Sequence, residues 1–530
     1  MNIRDLEGLW WSLLVLPFLL QLIILRIRFF WQGHQLFGGL TVALYISVLL
    51  FTFGVSRPLI VRLITIVPIL YLVMNALRWM VGRFDEEYIR NTVVVATVKF
   101  SLAAILLFYT TPLFENGRWI VTMSVLCVVD LLIALYILYR MTWAYRHYIV
   151  EDANPMYDKG RLPSVTLAIP ARNETDALNE TLYRAVRSDY PKLEILVLDD
   201  CSEDRTAEII KSFAHDGVRF VQGEIPADGW LGKSKASDTL VKEASGDIII
   251  FAGVDTHIAE QTISRLVAYM QVTKADMVSI LPQRRELDFW PLILQPLRDF
   301  WQLALPINRR AVPIASQCWA IKTEVLHKLG GFGGVRNTIF PEEHFAKEIV
   351  KTGIYRYVIS DELLGVTTRK RLSSQVETAT RTYYPLLHRR PAFVGAMTAF
   401  STCLLLPYGL FAYLITAHGS GILLTLATLV MLVMLCAQLL ALRRLAPRGW
   451  LVGIFNFPLV LFFDTLLFNW SMLAYEFAEV NWKGRNVCYP VIPYITPVVF
   501  NRLIDDTLGV DDASDGAPQT NKHRHHPHHY

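Results

Sequence analysis

Residues 248–257 read IIIFAGVDTH. Three isoleucines and a phenylalanine form a buried strand that delivers Asp255 to its C-terminal end, with His257 two residues on. An acid at a strand end of an α/β domain sits where ligands bind. Oxygen and nitrogen donors in that position suit a divalent cation, although His257 is also explained as a helix-entry or surface histidine. A second acidic pair, Asp199-Asp200, closes the run LEILVLDD and precedes Cys201 and Ser202. Its carboxylates can accept from ribose hydroxyls and a base N–H, or simply cap the next helix together with Ser202. Lys233, in GWLGKSKA (229–236), sits in a Gly-flanked loop from which it can offer a point charge to an anion, or it is an ordinary surface lysine. Glu342-Glu343 in PEEHFAKEIVKTG (341–353) open a helical stretch, where two acids also favour the helix dipole. Arg369, Lys370 and Arg371 cluster in TTRKRLSS (367–374), a composition suited to anionic groups beneath a membrane or to a solvated basic face.

The elements that must position these groups are legible as a pattern. SVTLAIP (164–170), LEILVLDD (193–200), VRFVQG (218–223) and DIIIFAGVD (247–255) are short β-rich runs. Amphipathic stretches such as 175–188 and 204–214 separate them. This β-α-β-α order predicts an α/β domain, with a mostly parallel sheet and helices on both faces, over residues 149–392. The strand carboxyl ends then gather the acids at one edge.

The rest of the chain is too apolar for a purely soluble enzyme. Hydrophobic residues make up 53% of the 530 residues, and the mean hydropathy is +0.35. A bilayer-spanning helix needs about 20 apolar residues. Stretches near 9–27, 36–55, 59–77, 92–114 and 119–141 meet that length, giving a transmembrane region over 1–148. Trp10, Trp11, Trp31, Trp79 and Trp119 lie near their ends, as an aromatic belt requires. A second membrane region covers 393–504, with spans at 393–416 and 421–442; the stretch 450–476 contains Pro458 and Asp464 and reads as re-entrant or interfacial. Within the α/β domain, 286–307 is rich in Trp, Phe and Leu, fitting either an interfacial helix or a packing segment. Residues 505–530 are acidic and then His-rich, a disordered tail. The arginine distribution puts the 149–392 domain on the cytoplasmic side, making this a multi-pass membrane protein. A net charge of +4 gives no case for nucleic acid. Six scattered cysteines indicate neither a disulfide framework nor a zinc knuckle.

The order of motifs resembles glycosyltransferase family 2, whose members use the GT-A nucleotide-sugar fold. The matching segments are IPARNE (169–174), VLDDCSEDRT (197–206), GWLGKSKA, GDIIIFAGVD (246–255), GGF (330–332), PEEHFAKEIVKTG and WKGR (482–485). The GWLGKSKA and WKGR forms are most similar to the membrane-bound branch, which includes hopanoid-, carotenoid- and ceramide-type lipid glucosyltransferases. The resemblance implies a GT-A domain held between N- and C-terminal transmembrane helices. It further implies an inverting transfer from a nucleotide-sugar, UDP-linked, to a membrane lipid at the cytoplasmic leaflet, with Mg²⁺ or Mn²⁺.

By the same resemblance, Ala171, Glu174, Asp199 and Asp200 contact the nucleoside and Lys233 reaches the diphosphate. Asp255, supplemented by His257, is the metal ligand, and Gly253 stands where the family carries the first acid of Asp-x-Asp. Glu343 is the catalytic base and Glu342 its support, in place of the family's shorter second acid. Gln317, in ASQCWA, falls in the acceptor pocket or is a buried amide. Arg371, Trp482, Lys483 and Arg485 serve the diphosphate or the acceptor. The Gln-x-x-Arg-Trp signature of processive polysaccharide synthases is absent: Gln375 and Arg381 are present at another spacing. A processive synthase exporting through its own spans, and a degenerate nucleotide-sugar-binding scaffold, are the competing expectations.

Overall fold

The structure, a computed structural model, describes residues 119–150, 162–285, 297–304, 312–416, 420–447, 456–478 and 480–488, with scattered single positions elsewhere. The expected spans before residue 115, Trp10, Trp11, Trp31, Trp79 and the 505–530 tail lie outside the described residues.

The strands are β1 (Val165–Ala171), β2 (Leu193–Asp199), β3 (Val218–Gln222), β4 (Ile248–Ala252), β5 (Thr256–His257), β6 (Met277–Leu281), β7 (Gln283–Arg284), β8 (Cys318–Lys322), β9 (Tyr355–Ile359), β10 (Thr367–Thr368), β11 (Val480–Trp482) and β12 (Arg485–Cys488). The described α-helices are α1 (Trp119–His147), α2 (Thr175–Ala185), α3 (Thr206–Ser212), α4 (Gly232–Glu243), α5 (Thr262–Thr273), α6 (Arg298–Ala304), α7 (Thr323–Lys328), α8 (Pro341–Thr352), α9 (Leu372–Leu386), α10 (Pro391–Thr416), α11 (Gly421–Leu445) and α12 (Phe457–Phe477).

Seven strands make the main sheet in the order β3-β2-β1-β4-β8-β6-β9. β1 pairs parallel with β2 and β4, β2 with β3 and β6 with β9, whereas β8 runs antiparallel to both β4 and β6. Alternate residues of β1 enter opposite cores. Leu167 and Ile169 meet α2 and α5, while Ala168 faces a second cluster with Leu240 of α4 and Phe345 of α8. Helices therefore cover both faces, which is why these strands read as unbroken apolar runs. From β1 the chain winds to β2 and β3 on one side, and β4 lies on the other. The crevice at their carboxyl ends is the topological switch point where such sheets bind ligands. A depression of about 750 Å³ lined by Pro163, Ser245, Asp247 and Lys322 opens at the opposite edge.

The run expected as a strand to residue 255 stops at Ala252. The Gly253 N–H donates to the Gln317 carbonyl (2.9 Å) and the Thr256 N–H returns to the Gly253 carbonyl (3.0 Å), so Asp255 sits in a turn. β5 and β10 then pair antiparallel, with Thr367 opposite His257 and Thr368 opposite Thr256.

Four described helices are long and apolar enough to cross a membrane: Met123–His147, Pro391–Thr416, Gly421–Leu445 and Phe457–Phe477. They pack on the far edge of the sheet. The Ile359 N–H of β9 donates to the Tyr148 carbonyl (2.7 Å), and one core joins Leu281 and Tyr357 to Ile137, Met434 and Leu461. α12 differs from the others. Pro458 falls in its first turn, where proline fits without breaking a helix. Asp464 is fully buried, accepting from Leu297 N–H (3.1 Å), the Trp301 indole (3.2 Å) and the Tyr383 hydroxyl. Farther along, the Ser471 and Tyr475 hydroxyls donate to the Thr380 and Arg381 carbonyls of α9. Within 286–307, residues 297–304 are packed, with Leu297, Phe300, Trp301 and Leu303 buried against these helices, whereas Trp290 is 59% exposed.

Candidate active site

The carboxyl ends of β1 and β2 are in register, Ala171 opposite Asp199, so the two following loops emerge side by side. Arg172 locks them together. Its guanidinium donates to the carbonyls of Asp200 (2.7 Å) and Cys201 (2.8 Å), and its Nε to the carbonyl of Lys483 (2.9 Å). That last bond reaches the WKGR segment, whose central Lys483-Gly484 is the two-residue turn of the β11–β12 hairpin. Lys483 (φ 49°) and Gly484 (φ 76°) both take the left-handed conformation that such turns require.

The hairpin aims two side chains at the loops after β1 and β2, and a third at α9. Arg485 donates to the Asp200 carboxylate (2.6 Å) and carbonyl (3.1 Å). The Lys483 ammonium donates to the Asn173 carbonyl (2.8 Å) and lies 3.2 Å from Glu174. Trp482 stacks under the Arg381 guanidinium of α9, 4.6 Å from the ring centroid. Burial pushes both Asp200 and Glu174 above the ordinary carboxylate values, and Arg485 and Lys483 pull them back. Asp199, nearly inaccessible, accepts from the Ser202 N–H (3.3 Å). Neither acid caps the next helix: the N-cap position of α3 is Arg205, with no side-chain capping bond, while Asp199 closes the turn after β2 and Asp200 ties the hairpin down.

Across the crevice, α4 and α8 present their N-termini. Lys233, in the first turn of α4, places its ammonium 3.6 Å from the Glu342 carboxylate, an ion pair too long for a hydrogen bond. Glu342 has no exposed side-chain surface, and neither of its oxygens has a hydrogen-bond partner among the described residues. Desolvation lowers the Lys233 pKa, with Glu342 opposing and the Arg381 and Arg298 charges adding to the fall. Glu343 points elsewhere: it pairs with Lys347 at 2.5 Å, stays 26% exposed, and acts on His388 at the start of the apolar helices. The acidic pair is thus split, one carboxylate under Lys233 and the other on the side of α10.

Asp255 is also paired. The Lys370 ammonium lies 2.8 Å from its Oδ2, and the Thr368 hydroxyl donates to its carbonyl (3.0 Å). Desolvation alone would raise the Asp255 pKa, but Lys370 outweighs it and the carboxyl titrates below its ordinary value. His257 is buried, with Nδ1 3.4 Å from the Thr181 hydroxyl; desolvation lowers its pKa. The described residues contain no group of three or more His, Cys, Asp or Glu able to hold a metal. Asp255 gains no second carboxylate from position 253, where a β-carbon would stand 3.0 Å from its own Oδ1. Asp255 is thus the one carboxylate at this turn, and Lys370 holds one of its two oxygens.

Of the other expected residues, Gln317 joins the same turn through its carbonyl, while its buried side-chain Oε1 has no partner among the described residues. Arg371 is the N-cap position of α9. Arg172, inside IPARNE, is not singled out by the sequence; Lys370 reads there as one of a basic cluster for anionic groups, and Arg381 only as a residue at the wrong spacing from Gln375 for a synthase signature.

The sequence profile described as Glycosyl transferase family 2 matches residues 166–330. An N-acetylglucosaminyltransferase from Rhizobium leguminosarum bv. trifolii is 32% identical over 133 residues, 23% of this chain and 69% of that protein. The chain belongs to glycosyltransferase family 2. A probable glycosyltransferase from Bacillus subtilis, YdaM, is 32% identical over 159 residues, which is 29% of this chain and only 37% of YdaM. The mannosyltransferase PcManGT from Pyrobaculum calidifontis, solved with GDP-Man and Mn²⁺, aligns over 67% of this chain and 98% of its own at 18% identity and a TM-score of 0.40. IPARNE, VLDDCSEDRT and WKGR meet through Arg172, Asp200 and Arg485, and GWLGKSKA and PEEHFAKEIVKTG through Lys233 and Glu342.

Proposed function

We propose that this family 2 glycosyltransferase moves a sugar from a nucleotide-sugar, UDP-linked, to the hydroxyl of a membrane lipid, with inversion. The observation that carries this reading is the convergence of the WKGR hairpin, the α4 and α8 N-termini and the Asp199-Asp200 strand end on a crevice that abuts the apolar helices. Asp199, Glu174 and the backbone at Ala171 take the nucleoside. Lys233 takes the diphosphate, a charge-assisted contact that grows in value as the leaving group gains charge. Lys483, Arg485 and Arg381 add positive charge around it, and Gln317 faces the sugar or acceptor.

The acceptor oxygen attacks the anomeric carbon while the bond from that carbon to the diphosphate oxygen breaks. The hydroxyl proton passes to a carboxylate. Exposure favours Glu343, which is open on the side of α10, whereas Glu342 is sealed beneath Lys233. Glu342 then positions Lys233. Residues 1–148 and 393–504 form the membrane regions flanking the cytoplasmic 149–392 domain. Because Lys483 and Arg485 reach the crevice, WKGR shares the domain's side of the membrane. An even number of crossings between residues 391 and 480 satisfies this if α10 and α11 span and α12 lies at the interface. The buried polar bonds of Asp464 and Ser471 support that role for α12.

Purified full chain in lipid nanodiscs, supplied with a panel of nucleotide-sugars and a membrane lipid extract, tests the reading through the glycolipid formed. A single sugar on a lipid supports it. Long polymer would favour the processive alternative instead. Donor binding with no product from any lipid would favour the scaffold.

A further inference from the structure

In the turn after β4 the ion pair is internal: an ammonium already occupies the face of Asp255 that a divalent cation would need. We propose that Lys370 supplies, from within the chain, the positive charge at the donor diphosphate, so that donor binding needs no metal. This rests on the nucleotide-sugar reading above.

Four observations carry it. The Lys370 ammonium sits 2.8 Å from Asp255 Oδ2, and both side chains keep some exposed surface, 18% and 29%. Its approach is set by the fold, because β10 pairs with β5 and the Thr368 hydroxyl holds the Asp255 carbonyl. Position 253 is glycine, so Asp255 is the single carboxylate at this turn, and Lys370 holds one of its two oxygens. His257, the other expected donor, is buried against Thr181. Asp255 is then a positioning residue that aims Lys370. One lysine carries half the charge of a divalent ion; Lys233 and Lys483, each paired with a carboxylate of its own, add to it only as the donor draws them from Glu342 and Glu174.

The test is donor affinity of the full chain in nanodiscs, measured by calorimetry with UDP-glucose, UDP-N-acetylglucosamine and GDP-mannose. Each is titrated in EDTA and again with Mg²⁺ or Mn²⁺. The donor that binds is expected to do so within about twofold in both conditions. Lys370→Ala is expected to weaken it at least about tenfold in EDTA, the scale of one charge-assisted bond, with Lys370→Arg recovering most of the loss. The thermal transition of each variant checks that it is folded. Affinity that rises more than tenfold with metal, or that survives Lys370→Ala in EDTA, overturns the proposal and leaves the nucleotide-sugar reading standing. Binding of no donor in either condition overturns both.

Discussion

At the scale of residues, the account divides labour between two adjacent acids. Helical rise turns successive residues by about 100°, so Glu342 and Glu343 face different neighbours despite being consecutive. Glu343→Gln is expected to cut turnover about 10²-fold or more while donor affinity stays within twofold, because only the proton acceptor is lost. Glu342→Gln is expected to weaken donor affinity instead, by freeing Lys233; single-turnover kinetics with calorimetry separates the two. The reverse pattern would exchange their roles. Lys233 also predicts a pH limb. Burial holds its ammonium below the ordinary lysine value of 10.5, so the charge is present below the lowered pKa and lost above it. Donor affinity should therefore fall on the alkaline side sooner than an unperturbed lysine would allow. Glu342→Gln, by removing the charge that opposes the shift, should move that fall to still lower pH. The acids and Lys233 were legible in the sequence because each sits at the end of a patterned element. Their partners were not: Arg172 meets Lys483 across 311 residues, and no local spacing encodes that contact.

Elements carry the next level of prediction. The β11–β12 hairpin works only if its turn holds Lys483 and Gly484 left-handed. Gly484→Ala adds about 1 kcal/mol of strain there, and hydrogen exchange over 480–488 should speed up about fivefold, with weaker donor binding. Unchanged exchange would contradict the tight turn. In α12, Asp464→Leu strands the Leu297 amide, the Trp301 indole and the Tyr383 hydroxyl. Unsatisfied buried groups cost about 1–3 kcal/mol each, so the thermal transition of the nanodisc-embedded protein should drop clearly. The β-rich runs at 164–170, 193–200 and 218–223 became strands nearly as read, because both faces of the sheet are buried and alternation gives way to continuous apolar character. The run ending at 255 did not, since Gly253 spends its N–H on the Gln317 carbonyl, a bond made outside the strand. Pro458, read together with Asp464 as marking a re-entrant or interfacial stretch, lies in the first turn of α12, where proline fits a helix.

For the whole molecule, one contact bears on the proposed topology: Arg485 on Asp200 puts the hairpin after α12, the last described apolar helix, beside the candidate crevice. Lys328 and Asn481 are both exposed. Cysteines placed at those two positions should react with an impermeant maleimide in inside-out vesicles and not in intact cells. Labelling of the two from opposite sides would refute the shared-side arrangement. The resemblance in the sequence supplied the fold and the family. It did not supply the internal ion pair of Lys370 with Asp255, which depends on a strand pairing between residues more than a hundred positions apart. The most direct test of the central claim is nucleoside diphosphate release by the full chain in nanodiscs, with nucleotide-sugars, lipid extract and a Glu343→Gln control. The account predicts release that requires the lipid extract and is lost in the variant. Release that is equal without lipid, or no release from any donor by folded protein, would contradict it.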